Sequence, residues 1–206
     1  MDLVLFSGFL GSGKTSLILP FARWLVGDGR DPARRLLIVE NEVGDVPIDQ
    51  KILGADGYDV RELFAGCICC QLTTDLTVLL NDLAATVAPR WVVVEATGLA
   101  DPGKIVETVA KYGRGVSAIR TITVVDAERW PELTEMVPVL VAKQVAAADV
   151  LLVNKIDACS PDELRAVTDA MSELNADAAM YLVSASGPIP ECVWEAVAGL
   201  EEEGAA

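Results

Sequence analysis

Seven apolar runs, each about the length of one β-strand, recur through the chain and alternate with helix-like segments. Runs such as LLIV at 36–39 and WVVV at 91–94 are apolar throughout, without alternating polar positions. Continuous apolar runs are typical of strands that are covered on both faces, as in a parallel sheet. Alternation with helices adds right-handed βαβ connections. The sequence therefore predicts an α/β fold with a parallel sheet and helices on both faces.

The expected elements follow from these runs. We predict strands at Leu3–Ser7, Leu36–Asn41, Val60–Phe64, Trp91–Ala96, Ile119–Asp126, Val150–Asn154 and Met180–Ser184, and helices near 14–27, 72–87, 103–112, 139–148, 161–174 and 190–202. Pro20 lies inside the first of these helices, and we expect it to kink that helix or to end it early.

Composition excludes several classes of partner. The 206 residues include 31 acidic and 16 basic ones, a net charge of −15, so no general basic field exists for nucleic acid or an anionic membrane. Histidine is absent from the sequence, which leaves thiolates, carboxylates and backbone groups as metal ligands. The apolar runs are far shorter than the ~20 residues of a membrane span, and the opening segment MDLVLFSG has neither a basic n-region nor a cleavage site. We expect a cytoplasmic protein.

The segment GFLGSGKT at 8–15 directly follows the first predicted strand and opens a helix. This G-x-x-x-x-G-K-T pattern predicts a phosphate-binding loop, in which glycines let backbone N–H groups approach phosphate oxygens. Lys14 is expected to reach the β- and γ-phosphates, and the Thr15 hydroxyl to bind Mg²⁺. The alternative is a glycine-rich turn with an incidental lysine. The nucleotide-binding residues predicted here are Gly8, Gly11, Ser12, Gly13, Lys14, Thr15 and Ser16.

The segment N-K-I-D directly follows the apolar run VLLV and predicts a guanine-binding element. The Asp157 carboxylate can accept hydrogen bonds from N1–H and the 2-amino group of guanine, a pair of donors that adenine lacks. Asn154 is expected to contact the base or the phosphate loop, and the Lys155 stem to lie over the ring. Ser184 and Ala185 follow the last predicted strand, where a backbone N–H would meet the guanine carbonyl. The alternative for N-K-I-D is a helix-capping turn.

Acidic residues at two strand ends are candidates for contact with the γ-phosphate and Mg²⁺. Glu95 and Gly98 occupy the place of a D-x-x-G element, with Glu95 holding Mg²⁺ through water and Gly98 directing its N–H to the γ-phosphate. Glu40 is a further Mg²⁺ candidate, although Glu40 and Glu42 can equally belong to a solvated loop. Asp126 is either a loop cap or a ligand. No residue is an evident base for the attacking water, so we expect slow GTP hydrolysis.

Three of the five cysteines, Cys67, Cys69 and Cys70, lie within four positions. Three thiolates suit Zn²⁺ or Cu(I), provided that the chain turns at this point. Glu42, Asp45, water or a client protein could supply the fourth ligand. Buried apolar cysteines and a redox pair are the alternatives.

Together these segments resemble the CobW/HypB/UreG family of P-loop GTPases, and most closely its CobW-like branch. The matching segments are GFLGSGKT at 8–15, ENEVGDVPID at 40–49, GCICC at 66–70, EATGLADP at 95–102, TVVDA at 123–127 and NKID at 154–157. The resemblance implies a SIMIBI-type parallel α/β GTPase with GTP/GDP and Mg²⁺ as cofactors. It also implies nucleotide roles for the residues at 8–15 and 154–157, and Zn²⁺, Ni²⁺ or Co²⁺ binding at the three cysteines.

The resemblance further implies a metal-insertion GTPase whose partner is a client metalloenzyme or corrinoid protein, and which can dimerise in response to nucleotide. CobW-like proteins typically carry a further C-terminal domain and histidine-rich stretches. Here we expect a single GTPase domain over 1–206, without either. The usual E-N-E-F-G-E reads ENEVGD at 40–45, and Pro47 replaces a usual glycine. Two other functions remain open: activation of a corrinoid or other partner without metal transfer, and an ATP-dependent small-molecule kinase.

Overall fold

The apolar runs form one parallel sheet in the computed structural model, which describes residues 1–27, 36–40, 59–62 and 70–200. The strands are β1 (Asp2–Ser7), β2 (Leu36–Glu40), β3 (Asp59–Glu62), β4 (Trp91–Glu95), β5 (Ala118–Asp126), β6 (Val150–Asn154) and β7 (Ala179–Leu182). Their order across the sheet is β3-β2-β4-β1-β5-β6-β7, and every neighbouring pair is parallel. The predicted parallel sheet is confirmed. Residues 41, 63 and 64 of the predicted strands lie outside the described residues.

The helices are α1 (Lys14–Val26), α2 (Cys70–Thr86), α3 (Pro102–Tyr112), α4 (Trp130–Met136), α5 (Pro138–Ala146), α6 (Pro161–Leu174) and α7 (Glu191–Ala198). The sequence did not predict α4, because this helix has only seven residues and Pro138 separates it from α5, too little for a periodic pattern. Pro20 does not end α1 early: the helix continues to Val26. Pro20 removes one helical hydrogen bond. Phe21 and Leu25, which follow it in α1, are buried in the core, and their burial stabilises the continued helix.

Both faces of the sheet are covered, as the continuous apolar runs predict. Val4 and Phe6 of β1 belong to a core cluster that includes residues of α1 and α7. Leu3 and Leu5, which alternate with them, belong to a second cluster with residues of α2 and α3. A third cluster joins β5 and β6 to α4, α5 and α6. None of the helices in the described part of the chain has the length and apolar character needed to cross a membrane.

The strand order determines where a ligand can bind. β1 lies at the centre, with β4 on one side and β5 on the other, so the chain connections run in opposite directions from this point. In open parallel sheets the crevice for a ligand lies at the carboxyl ends of the strands, at such a reversal. The loops that follow β1, β4, β5 and β6 therefore meet at one edge, and these loops carry the predicted site residues.

Candidate nucleotide-binding site

The loop between β1 and α1 requires glycine at defined positions. Gly8, Gly11 and Gly13 all have positive φ, at 132°, 78° and 97°. A Cβ at Gly8 would collide with the carbonyl oxygen of Val124 in β5, and one at Gly13 would collide with the side-chain amide of Asn154. The glycines therefore permit both the left-handed backbone and the close approach of neighbouring strands. The loop predicted from the sequence is present, and its shape depends on contacts with β5 and β6.

Lys14 is the first residue of α1, and its ammonium group lies within this loop. The side chain is buried, and Nζ donates to the carbonyl oxygens of Gly8, at 3.1 Å, and Phe9, at 3.4 Å. Among the described residues, the buried hydroxyl of Ser12 has no hydrogen-bond partner. A buried cation, an unpaired hydroxyl and the N-terminus of a helix together suit an anionic oxygen ligand. The loop is therefore chemically suited to phosphate.

Thr15 and Glu95 form the oxygen-rich part of the site. The Thr15 hydroxyl lies 2.9 and 3.0 Å from the two carboxylate oxygens of Glu95, which is buried at the end of β4. Hydroxyl and carboxylate oxygens are ligands that Mg²⁺ prefers, so the donor set fits this ion. Glu40, the third Mg²⁺ candidate, ends β2 as the register partner of Glu95, and its side chain lies outside the described residues.

Asn154, which ends β6, joins two loops through its side chain. The amide nitrogen donates to the Ser12 carbonyl at 2.8 Å, and the amide oxygen accepts from the Ala185 N–H at 2.9 Å. The side chain is almost completely buried. The sequence predicted that Asn154 contacts either the base or the phosphate loop. In the structure its side chain contacts the phosphate loop. The expectation that a backbone N–H of the segment beginning at Ser184 meets the guanine carbonyl stays a prediction, and the Ala185 N–H is the one that donates to Asn154.

Lys155 and Asp126 form an ion pair beside this bridge. Lys155 has a left-handed backbone, with φ of 64°, and its Nζ lies 2.6 Å from Asp126 Oδ2. The other carboxylate oxygen of Asp126 accepts from the Arg129 N–H at 3.2 Å, which makes Asp126 a loop cap. The sequence did not reveal this ion pair. Asp126 is the register partner of Asn154, so the pairing of β5 with β6 is the signal that identifies it.

Asp157 accepts a hydrogen bond from the Ser184 hydroxyl at 2.5 Å, and this bond lowers the pKa of the aspartate. The carboxylate is therefore ionised at neutral pH and able to accept from two donors. Residues from the phosphate loop, from the N-K-I-D segment and from the loop after β7 line one cavity of about 560 Å³. Ligand pockets usually measure about 300–1,000 Å³. The cavity is lined by Gly11, Gly13, Ser16, Glu128, Asn154, Lys155, Asp157, Ala158, Ser184, Ala185 and Ser186.

Gly98 lies against the phosphate loop. The approach is so close that a Cβ on Gly98 would come within 2.5 Å of the Leu10 nitrogen. Its carbonyl accepts a hydrogen bond from Gln144. Gln144 was not predicted as a functional residue, although a glutamine in the largely apolar segment at 139–148 was an available signal.

The predicted transition-metal site falls mainly outside the described residues. Cys67, Cys69 and Glu42 lie in segments that are not described, and Cys70 is described only as the first residue of α2. Within the ranges that the structure covers, no group of three or more Cys, Asp or Glu side chains could hold a metal ion. The cysteine site remains a prediction from the sequence.

The chain matches a known protein family over most of its length. Residues 2–182 match the family described as CobW/HypB/UreG, nucleotide-binding domain. The chain is 30% identical over 190 residues to the zinc chaperone YjiA of Escherichia coli, an alignment that covers 87% of this chain and 56% of that protein. The chain spans about half the length of the curated relatives it matches.

Solved structures show the same fold. The chain superposes on Zn(II)-bound YjiA GTPase from E. coli with a TM-score of 0.68 at 23% identity, over 97% of this chain and 62% of that one. Superposition on the hydrogenase maturation factor HypB from Archaeoglobus fulgidus gives a TM-score of 0.69 at 14% identity, over 97% and 90% of the two chains. At these identities the comparison establishes the parallel P-loop fold and nothing finer.

Replacing Asn154 with alanine tests the bridge between the two loops. We expect the free energy of unfolding to fall by about 1–3 kcal/mol, since the Ser12 carbonyl and the Ala185 N–H lose a buried partner. Nucleotide affinity should fall as well, because the loops lose their relative position. Urea denaturation and fluorescent-nucleotide binding measure the two effects.

Asn81→Ala is the matched control for Asn154→Ala. The Asn81 amide likewise bridges two backbone groups, donating to the Tyr112 carbonyl and accepting from the Arg114 N–H, but it does not line the cavity. This variant should lose stability and keep nucleotide affinity. Equal losses of nucleotide affinity in the two variants would contradict the role of the bridge.

Replacing Ser184 with alanine should raise the pKa of Asp157 toward its ordinary value, because the hydroxyl no longer stabilises the carboxylate. In the wild type, the stabilisation by this bond is present above the ordinary aspartate pKa and is lost as pH falls through the lowered pKa. In the variant, protonation of Asp157 and loss of nucleotide binding should begin at higher pH. Carboxyl ¹³C NMR titration measures the shift, with Ser172→Ala as control, since the Ser172 hydroxyl donates to the Thr168 carbonyl within α6. An Asp157 titration unchanged by Ser184→Ala would refute this account.

Proposed function

The chain belongs to the CobW/HypB/UreG family of nucleotide-binding domains, and from that premise we propose that it is a GTPase that couples its nucleotide state to delivery of a metal ion. The observation that carries the nucleotide part is the single cavity lined by both the phosphate loop and the N-K-I-D segment. One ligand that satisfies both is a guanine nucleotide. The client is a protein that takes up the ion, either a metalloenzyme or a corrinoid protein.

In this proposal each part of the cavity binds one part of GTP. Lys14 exchanges its contacts with two loop carbonyls for oxygens of the β- and γ-phosphates. Thr15 and Glu95, with Glu40 nearby, would hold Mg²⁺, which when bound neutralises charge on the phosphates. Asp157 accepts from N1–H and the 2-amino group of guanine, so it selects guanine over adenine.

Hydrolysis should be slow because the sequence offers no evident base for the attacking water. The sequence contains no histidine, and Gln144 donates to the carbonyls of Gly98 and Ala100. A slow intrinsic rate suits a switch whose nucleotide state changes only when a partner arrives.

The metal part of the proposal rests on the cysteines and on where the chain leaves the sheet. Glu62 ends β3 as the register partner of Glu40, which is in turn the partner of Glu95. Neighbouring strands lie about 4.8 Å apart, so the Glu62 and Glu95 backbones are separated by about 10 Å. Cys67 follows Glu62 by only five residues. The chain therefore leaves β3, five residues before Cys67, at the edge of the sheet that carries the proposed Mg²⁺ ligands.

Zinc is the favoured cargo, with nickel and cobalt as the alternatives. Three relatives of this chain are named zinc chaperones. Thiolates from Cys67, Cys69 and Cys70 suit zinc, with Glu42 as a candidate fourth ligand. A nucleotide-dependent movement of the segment that holds Glu40 and Glu42 would change the zinc coordination and favour release.

Asp157→Asn tests the identity of the base. An asparagine can accept from N1–H but can only donate at the second position, so it favours xanthine, which has a carbonyl in place of the 2-amino group. We expect GTP affinity to fall by at least about tenfold and XTP affinity to rise, measured by calorimetry. Asp162→Asn, on the exposed first turn of α6, is the control. Tight ATP binding that survives Asp157→Asn would support the kinase alternative instead.

Cys69→Ser tests the metal site. We expect Zn²⁺ affinity to fall by more than about tenfold under reducing conditions, because a thiolate ligand is lost. Cys192→Ser is the matched control, since Cys192 is a free, exposed thiol on α7. Zinc affinities that are equal in the two variants count against the thiolate site, and protein that binds GTP but no zinc would point to an activator without metal transfer.

A further inference from the structure

Gln144 is a buried polar residue that connects the sheet to the loop after β4. Its side-chain nitrogen donates to the Gly98 carbonyl at 3.1 Å and to the Ala100 carbonyl at 3.2 Å. Its main-chain carbonyl accepts from the Thr123 hydroxyl of β5 at 2.8 Å. An amide nitrogen has two hydrogens, and Gln144 uses both on the same short loop. The residue is thus attached to the sheet through its backbone and to the loop through its side chain.

The other side of this loop contacts the phosphate loop. A Cβ on Gly98 would come within 2.5 Å of the Leu10 nitrogen, so the two backbones are in direct contact. The loop is closed on itself by the Ala100 N–H, which donates to the Thr97 carbonyl at 3.0 Å. Because a trans peptide directs its N–H opposite to its C=O, this bond to the Thr97 carbonyl also sets the direction of the Gly98 N–H.

A second contact between α5 and this region is weaker. Lys143 pairs with Asp101 at 3.0 Å, but the lysine side chain is about half exposed. Exposed ion pairs contribute little because water screens them. The two hydrogen bonds from Gln144 are buried, so they are the stronger connection between α5 and the loop.

We propose that Gln144 is a positioning residue that holds the Gly98–Ala100 loop against the phosphate loop and thereby sets how strongly the protein prefers GTP to GDP. This inference rests on the proposed function and on the prediction from the sequence that Gly98 directs its N–H to the γ-phosphate. With Gln144 in place, the loop is already ordered before GTP binds. Without it, the γ-phosphate contact must first order the loop, and this conformational entropy weakens GTP binding alone. GDP has no γ-phosphate and is insensitive to the anchor.

Gln144→Met tests the proposal, because methionine has a similar length and no donors. We expect affinity for a non-hydrolysable GTP analogue to fall about tenfold, the consequence of two lost hydrogen bonds, while GDP affinity changes less than about twofold. Gln144→Asn keeps the amide but shortens its reach by one methylene, and it should shift the ratio in the same direction. Calorimetric titration of the full chain with both nucleotides gives the ratio.

Asn175→Ala is the matched control. The Asn175 amide nitrogen likewise makes two hydrogen bonds, to the Val145 carbonyl at 2.8 Å and to the Ala148 carbonyl at 2.9 Å, but at the C-terminal end of α5 and not on the loop after β4. Its loss should lower stability and leave the GTP-to-GDP preference unchanged. A preference that is intact in both Gln144 variants, or lost equally in Asn175→Ala, overturns the inference. Failure of the wild type to bind either guanine nucleotide overturns the proposed function instead.

A measurement on the wild type covers the case in which the Gln144 variants do not fold. The chain contains three glutamines, so ¹⁵N-glutamine labelling gives three side-chain amide signals. Because the loop is ordered before GTP binds, we expect the Gln144 side-chain amide hydrogens to exchange slowly with solvent in the nucleotide-free protein and in the GDP complex, as they do in the GTP-analogue complex. Fast exchange of these hydrogens that becomes slow only in the GTP-analogue complex would overturn the inference.

Discussion

The candidate nucleotide site depends on two hydrogen bonds made by the side-chain amide of Asn154. This amide donates to the phosphate loop at Ser12 and accepts from the loop after β7 at Ala185. Both bonds are buried, where an unpaired polar group is costly and a paired one is strong. The same amide occupies the space that a side chain on Gly13 would need. The distance between the proposed phosphate-binding and base-binding parts of the cavity is therefore set by one residue at the end of β6.

The local parts of this arrangement could be predicted from the sequence, and the connections between them could not. Apolar runs indicate the parallel strands, and G-x-x-x-x-G-K-T indicates the loop at 8–15, because each pattern describes consecutive residues. Asn154 and Ser12, by contrast, are 142 residues apart, and Gln144 is 46 residues from Gly98. These contacts exist because the strand order is β3-β2-β4-β1-β5-β6-β7, which no local pattern encodes. The Lys155–Asp126 ion pair was missed for the same reason.

The strand order also offers a physical basis for the proposed coupling between nucleotide and metal. Three strands on one side of the sheet, β4, β2 and β3, end in Glu95, Glu40 and Glu62 at successive positions of the same edge. Glu95 contacts Thr15 of the phosphate loop, and the cysteine segment follows Glu62. In the proposed mechanism, a change at the γ-phosphate is therefore transmitted to the thiolates through the neighbouring ends of these three strands. Gln144 keeps the loop after Glu95 in place while this happens.

Coupling between nucleotide and metal is the central claim, and a zinc titration tests it most directly. The protein is titrated with Zn²⁺ under reducing conditions, once in complex with GDP and once with a non-hydrolysable GTP analogue. We expect the two dissociation constants to differ by at least about fivefold, with zinc changing the ratio of the two nucleotide affinities by the same factor, because coupling is reciprocal. Equal zinc affinities in the two complexes would contradict the account.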